Sequence, residues 1–432
     1  MTARKHLFAR KSEKGKGSSL LKRSFKVLGP GLITGAADDD PSGISTYSVA
    51  GAAYGYATLW IALLTFPMMV AVQLMCARLG IVTGRGLATA VRIHYPHWVL
   101  WSACGILAVA NIINIGADLG GMAEATQLVT GIQTFIWIPI YALSILGLLV
   151  WVSYKRIAWI FKWLTLVLFA YVFTSFYAHV DWRHALAVTF VPHLEWSRGF
   201  LAVLVAILGT TISPYLFFWQ AAEEVEEGRK EGKTLAESKG ATAGELGNAR
   251  DDTIAGMFFS NLIMYFIILT TAATLHAHGH TDITTARQAA EALRPLASNG
   301  AYLLFTLGLI GTGMLGVPVL VGSCAYAVAE AAVWRGSIAD KPRRARKFYA
   351  VMAVAMVLGL ALNYLGFNAV KMLFWSAVIN GLLAPPLILL VVLLTSSHKV
   401  MGKRANSPLL KYLGWATFAV MTAAAIGMII TA

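Results

Sequence analysis

The stretch Asp38-Asp39-Asp40-Pro41-Ser42-Gly43 sets six polar or helix-breaking residues inside an otherwise apolar segment running from about Val27 to Ala53. Insertion scales put a charge at the centre of a membrane at about 3 kcal/mol, and unpaired backbone groups at that depth cost several more. The segment can therefore span a bilayer only where this point faces protein, water or a cation. Pro41 lacks a donor and pushes its predecessor out of the α region, and Gly43 tolerates almost any backbone angle, so a broken helix is predicted. The break frees carbonyls from the first half and amides from the second. Carbonyls beside carboxylates make a hard, oxygen-lined cavity of the kind divalent cations bind. A plain kink would need one proline and no aspartates.

A chain of 432 residues that is 57% hydrophobic and 13% charged, with mean hydropathy +0.66, does not read as a soluble domain. Apolar runs near 20 residues recur along its length, so the expected class is an all-α polytopic membrane protein in the lipid bilayer. Eleven spans are expected near 27–53, 57–80, 98–129, 134–152, 156–178, 199–222, 252–276, 300–333, 347–364, 370–394 and 409–431. The net charge of +14 does not suggest nucleic acid, because the basic residues sit in short loops. If the N-terminus is cytoplasmic, only Arg183, Arg198, Arg287, Arg294 and Lys371 fall in outer loops and Lys162 just inside a span. That bias predicts a cytoplasmic N-terminus. Residues 1–26 read as a basic cytoplasmic tail whose Lys11, Lys14 and Lys16 serve as a topology signal sooner than as a contact with anionic headgroups, and not as a cleaved signal peptide. A bacterial plasma membrane is the expected location. Cys76, Cys104 and Cys324 have no disulfide or metal-ligand spacing.

The sixth span repeats the anomaly of the first, as Leu208-Gly209-Thr210-Thr211-Ile212-Ser213-Pro214-Tyr215-Leu216. Both interruptions fall in the first helix of a five-helix unit, 27–178 and 199–394, with 409–431 left as an appended eleventh span. An odd number of spans per unit inverts the second relative to the first. Paired broken helices in inverted repeats point to a transport site at the midplane.

At these residues the chain resembles the NRAMP family of divalent-metal transporters, over most of its length. The likeness rests on the eleven spans, the Gly29-Pro30-Gly31 lead-in, Asp40-Pro41-Ser42-Gly43 where the family has Asp-Pro-Gly-Asn, and Gly209–Leu216 where it has Gly-Ala-x-x-Met-Pro-His-Asn. The resemblance implies a LeuT-type fold, Asp40 as the metal-binding carboxylate and the Thr210 carbonyl facing the ion. It also implies a transported divalent metal ion and no cofactor. Two departures bear on selectivity. The family's Asn falls on Gly43 and its Met on Ser213, as in the divergent NRAMP-related magnesium transporters. A thioether favours softer metals and a hydroxyl or bound water harder ones, so Mg²⁺ or Mn²⁺ is expected before Fe²⁺. The family's His falls on Tyr215, a phenol with a reference pKa of about 10 and a poor proton carrier at neutral pH. In the third span Asp118 keeps the acid of a Thr-Asp-Leu-Ala-Glu pattern while Gly121 loses the Glu. Uncoupled or weakly coupled uptake into the cytoplasm is therefore expected, with a proton-coupled Mn²⁺/Fe²⁺ importer as the alternative.

Asp39 either lines the approach to Asp40 or caps the second half-helix. Asn380 lies where the family places a polar residue on the ligand side, though an interhelical hydrogen bond is the favoured explanation. Glu223 and Glu224 mark either an acidic exit or a wetted span end, and 223–252 reads as a solvated linker. His276, His278 and His280 read as a solvated outer loop, and Met68, Met69 and Met75, with the many Trp residues, as lipid-facing packing and interfacial anchors. Two other classes are weighed. An intramembrane hydrolase would need two carboxylates facing one water, whereas consecutive aspartates splay apart. A metal sensor would bind without transporting.

Overall fold

The computed structural model describes residues 29–230, 232 and 241–431, and every regular element among them is helical. The first span is two half-helices, α1 (Pro30–Asp38) and α2 (Pro41–Tyr54). It is followed by α3 (Trp60–Thr83), α4 (His97–Thr130), α5 (Thr134–Trp151) and the divided fifth span, α6 (Tyr154–Thr165) and α7 (Phe169–Tyr177). The second half holds α8 (Arg198–Thr211), α9 (Pro214–Lys230), α10 (Ala243–Thr274), α11 (Ala301–Ala331), α12 (Arg346–Leu362) and α13 (Ala369–Ser396), and α14 (Pro408–Ile430) closes the chain. Among the described residues nine helices are long and apolar enough to cross a membrane. The sixth is counted across its break as Arg198–Lys230, whereas the first and fifth are divided into pieces too short to qualify. The basic tail expected over 1–26 lies outside the described residues.

Glycine decides how the two broken helices are held. A Cβ on Gly31 would strike the Thr253 backbone and one on Gly35 the Gly256 backbone, so α1 and α10 meet main chain to main chain. Farther along, Gly51 of α2 packs on Ile268 and Thr271 of the same α10. The second broken helix repeats the device: Gly209 of α8 lies against Ala377 and Gly381 of α13, and Gly381 in turn against Val205. Where lipid offers helices no hydrophobic reason to associate, close approach through small residues supplies dispersion contacts instead.

Three expectations are corrected. The 223–252 linker is largely helical: α9 runs on to Lys230, and α10 starts at Ala243 behind a Thr242–Glu245 capping box. Glu223, Glu224 and Glu226 are buried there. Met68, Met69 and Met75 are core residues and do not face lipid, and the Met75 side chain lies against Gly414 of α14. Asp39 does not cap α2; that position is taken by Asp40. The exposed Trp98, Trp101, Trp151 and Trp196 fit the interfacial role, whereas Trp219 is fully buried. Acids near span ends also cap neighbouring helices. Asp252 accepts from the Gly31 amide at 2.7 Å, and Glu124 from the Ala286 amide at 2.9 Å.

Gly35→Val should cost about 1–3 kcal/mol through overpacking and lower the melting temperature of the detergent-solubilised protein by several degrees. Gly105→Ala, where a Cβ meets nothing within 4 Å, should leave it unchanged. Differential scanning fluorimetry of the two variants checks this.

Candidate metal centre at the paired helix breaks

An α-helical carbonyl accepts from the amide four residues on, so a proline orphans one carbonyl. Pro41 orphans Ala37, and Pro214 orphans Thr210. The two losses are made good differently. Tyr215 crosses from α9 and its hydroxyl donates to the Ala37 carbonyl at 3.0 Å. Ser213 folds back on its own helix and donates to the carbonyls of Gly209 (2.9 Å) and Thr210 (2.8 Å). Each break thus has a hydroxyl on it, one from the partner helix and one from within.

Asp40 sits at the start of α2, 1% exposed. Its Oδ1 accepts from the Gly43 amide at 2.9 Å and the Ser42 hydroxyl at 2.6 Å. Its Oδ2 accepts from Asn114 Nδ2 at 3.0 Å and the Tyr215 hydroxyl at 3.3 Å. Asn114 is steadied in turn by Ser376 of α13, whose hydroxyl donates to Asn114 Oδ1 at 2.9 Å. Charge is not balanced by a basic residue. Among the described residues, no Lys, Arg or His forms an ion pair with Asp38, Asp39, Asp40 or Asp118, all of them buried.

The other candidates gather around this carboxylate. The space where Gly43 has no side chain is bounded by Thr210 Oγ1, the Tyr47 ring and the Asp38 carbonyl. The hydroxyls of Thr210 and Tyr47 are buried beside one another there. Asp38 and Asp39 both turn to Ser260 of α10, which lies 2.6 Å from Asp38 Oδ2 and 3.2 Å from Asp39 Oδ1. Asp118 is fully buried and faces Asp40 and the start of α2, where the Ser42 backbone amide approaches its carboxylate. Asn380 stands one turn beyond Ser376 on α13, with neither amide atom hydrogen-bonded. No three His, Cys, Asp or Glu side chains among the described residues surround a common point. Any ion here therefore depends on carbonyl, hydroxyl and amide donors as well as carboxylate.

Two cavities lie beyond opposite ends of this region. One of roughly 1290 Å³ is lined by Gly29, Pro30, Glu224, Glu226, Asp252 and Glu330, among others. The other, of roughly 670 Å³, is lined by Tyr54, Tyr56, His184, His193 and His276. None of the three aspartates lines either. A polar line runs from the α1 side toward the larger cavity: Thr34 donates to Gln220 at 2.5 Å, and Gln220 to Glu224 at 3.0 Å. The sequence reading passed over Asn114, Ser376, Gln220 and Ser260. The first had a visible signal, since Asn111, Asn114 and Asp118 recur at helical spacing on one face of α4.

The natural resistance-associated macrophage protein-like (Nramp) family matches residues 31–431. The divalent metal cation transporter MntH of Klebsiella pneumoniae subsp. pneumoniae is 28% identical over 419 residues, which are 93% of this chain and 92% of that protein. The manganese transporter of Eremococcus coleocola, solved with an aromatic bis-isothiourea substituted compound, aligns with TM-score 0.75 and 20% identity over 96% of this chain and 88% of its own. Mhp1, a nucleobase-cation-symport-1 family transporter, aligns at 0.59 and 15% identity over 94% and 93%. These likenesses establish the LeuT-type fold.

Tyr215→Phe removes the donor that Pro41 makes necessary and leaves the Ala37 carbonyl buried and unsatisfied, a loss of about 1–3 kcal/mol. The variant should melt several degrees below wild type in detergent, whereas Tyr412→Phe, at an exposed ring, should not. Thermal unfolding of both measures the strap directly.

Proposed function

Because the chain belongs to the Nramp family of divalent metal cation transporters, we propose that it carries hard ions, Mg²⁺ or Mn²⁺, into the cytoplasm with little or no proton coupling. Family membership makes it an integral membrane protein and a transporter, not an enzyme, and the metal is cargo with no resident cofactor. The hydrolase reading falls with that.

The observation that carries the ion preference is the donor set. Every hydrogen-bond partner of Asp40 is a hydroxyl or an amide, and the position of the family's thioether is held by Ser213. Oxygen donors suit Mg²⁺ and Mn²⁺, the harder of the candidate ions. In this reading Asp40 binds the ion, the Thr210 carbonyl faces it, and Ser213 reaches it through water. Asp39 and Asn380 border the path, and the two repeats, 27–178 and 199–394, rock about the site. Weak coupling is supported at two positions. Tyr215 is engaged as a donor to Ala37 and Asp40, and a Cβ at Gly121 would already run into Leu373, which argues against a longer acid there. Asp118 favours the second reading, a proton-coupled Mn²⁺/Fe²⁺ importer, because it is buried close to Asp40 and no basic side chain among the described residues forms an ion pair with it. The basic inner loops support a cytoplasmic N-terminus in a bacterial plasma membrane.

Uptake of Mg²⁺ and Mn²⁺ into proteoliposomes, at symmetric and at acidic outer pH, tests the reading with wild type and Asp40→Ala. Flux of both ions, indifferent to pH and lost in Asp40→Ala, is expected. Mn²⁺ flux alone, accelerated by acid, would support the coupled importer, and binding without flux would make the protein a sensor. Ser213→Met should add competition by Cd²⁺ that wild type lacks.

A further inference from the structure

Gly43 leaves this site short of the carboxamide that the resembling family carries there, yet a carboxamide does reach Asp40 from a different helix. Asn114 of α4 is fully buried and spans between two groups, with Nδ2 3.0 Å from Asp40 Oδ2 and Oδ1 2.9 Å from the Ser376 hydroxyl. We propose that Asn114 is an ion ligand of the transport site, turning its amide oxygen to the cation when one binds Asp40, with Ser376 as the group that permits the turn. The inference rests on Asp40 being the ion-binding carboxylate.

In this geometry the Asn114 N–H₂ faces the Asp40 carboxylate. Without a cation, an amide N–H₂ is the right partner for a carboxylate oxygen. With a divalent cation on that carboxylate, the same N–H₂ presents positive hydrogens to a positive ion, and the interaction reverses sign. A half-turn about the terminal side-chain torsion exchanges oxygen and nitrogen in nearly the same volume. The exchange succeeds only if the group on the far side can also exchange roles. Ser376 can, because its hydroxyl already has a second acceptor, the Leu373 carbonyl at 2.7 Å. After the turn Ser376 gives its proton wholly to Leu373 and accepts from Asn114 Nδ2. Asp40 Oδ2 keeps the Tyr215 donor, so no polar atom is left unpaired on either side.

The consequence is a site with two settings whose difference is one amide rotation. It supplies an oxygen that is neutral, which suits an ion keeping part of its water shell, because a neutral donor adds coordination without adding charge to the four nearby carboxylates. Ser376 is then a positioning residue and Asn114 a ligand.

The test is Mn²⁺ binding to purified protein by calorimetry, with thermal unfolding in the absence of metal as the folding control, together with Cd²⁺ titration of Asn114→Cys. Asn114→Ala should weaken Mn²⁺ binding about tenfold or more while retaining a cooperative unfolding transition. Cd²⁺ added to Asn114→Cys should produce an ultraviolet thiolate-to-cadmium absorption band, absent in wild type despite its three cysteines and absent when Asp40→Ala is added. A purely structural asparagine would give no such band. The inference is overturned if Asn114→Ala binds Mn²⁺ as wild type does, or if Asn114→Cys binds Cd²⁺ without the band. Loss of binding in Asp40→Ala with those two results would leave the Asp40 site standing and remove Asn114 from it. No binding to wild type at all would remove the site itself.

Discussion

Two prolines that cannot donate a hydrogen bond govern the centre of this molecule. Each leaves one carbonyl without its helical partner at a depth where water is not freely available, and an unsatisfied buried carbonyl is not tolerated cheaply. The repairs differ in kind. Ser213 mends the second break within its own helix, so that break is locally self-sufficient. Tyr215 mends the first from across the interface and touches Asp40 with the same hydroxyl. The backbone of the first broken helix and the carboxylate at its break therefore share a single donor belonging to the second broken helix.

Around that strap the protein concentrates negative charge. Asp38, Asp39, Asp40 and Asp118 are buried within one region and no basic side chain among the described residues pairs with them. Isolated charges in a low-dielectric setting are unfavourable, so the fold spends hydroxyls, amides and helix ends on them instead. Ser260 serves two carboxylates with one proton, and the start of α2 presents amides to Asp40. A divalent cation contributes what these dipoles lack.

The broken helices were legible because Pro and clustered Asp in an apolar run contradict the hydropathy around them, and the span boundaries followed from periodicity to within a few residues except where α9 runs on to Lys230 and α10 begins at Ala243. Family resemblance located Asp40, Thr210 and Ser213. What stayed hidden were single polar residues on apolar helices, Asn114, Gln220, Ser260 and Ser376. A window average dilutes one amide among many aliphatics, and which face it occupies is set by the neighbouring helix, which local sequence does not encode. The buried acids of α9 were misread for the opposite reason. Glu223 to Glu227 resemble a wetted helix end, yet the surrounding helices close over most of them. Met68, Met69 and Met75 erred likewise, since an apolar side chain looks the same toward lipid as toward protein.

The seam of Gly31 and Gly35 on Gly256 has a mechanical meaning. Interdigitated side chains form teeth that must disengage before helices move, whereas bare backbone against bare backbone is a bearing. A tilt of α1 about Gly35 has Gly29 on a lever arm of about 9 Å and Asp38 on one of about 4.5 Å, at about 1.5 Å per residue. The end at Gly29 and Pro30, which lines the large acidic cavity, sweeps about twice as far as the end near the ion. A tilt of this kind would widen the mouth of that cavity about twice as far as it displaces Asp38.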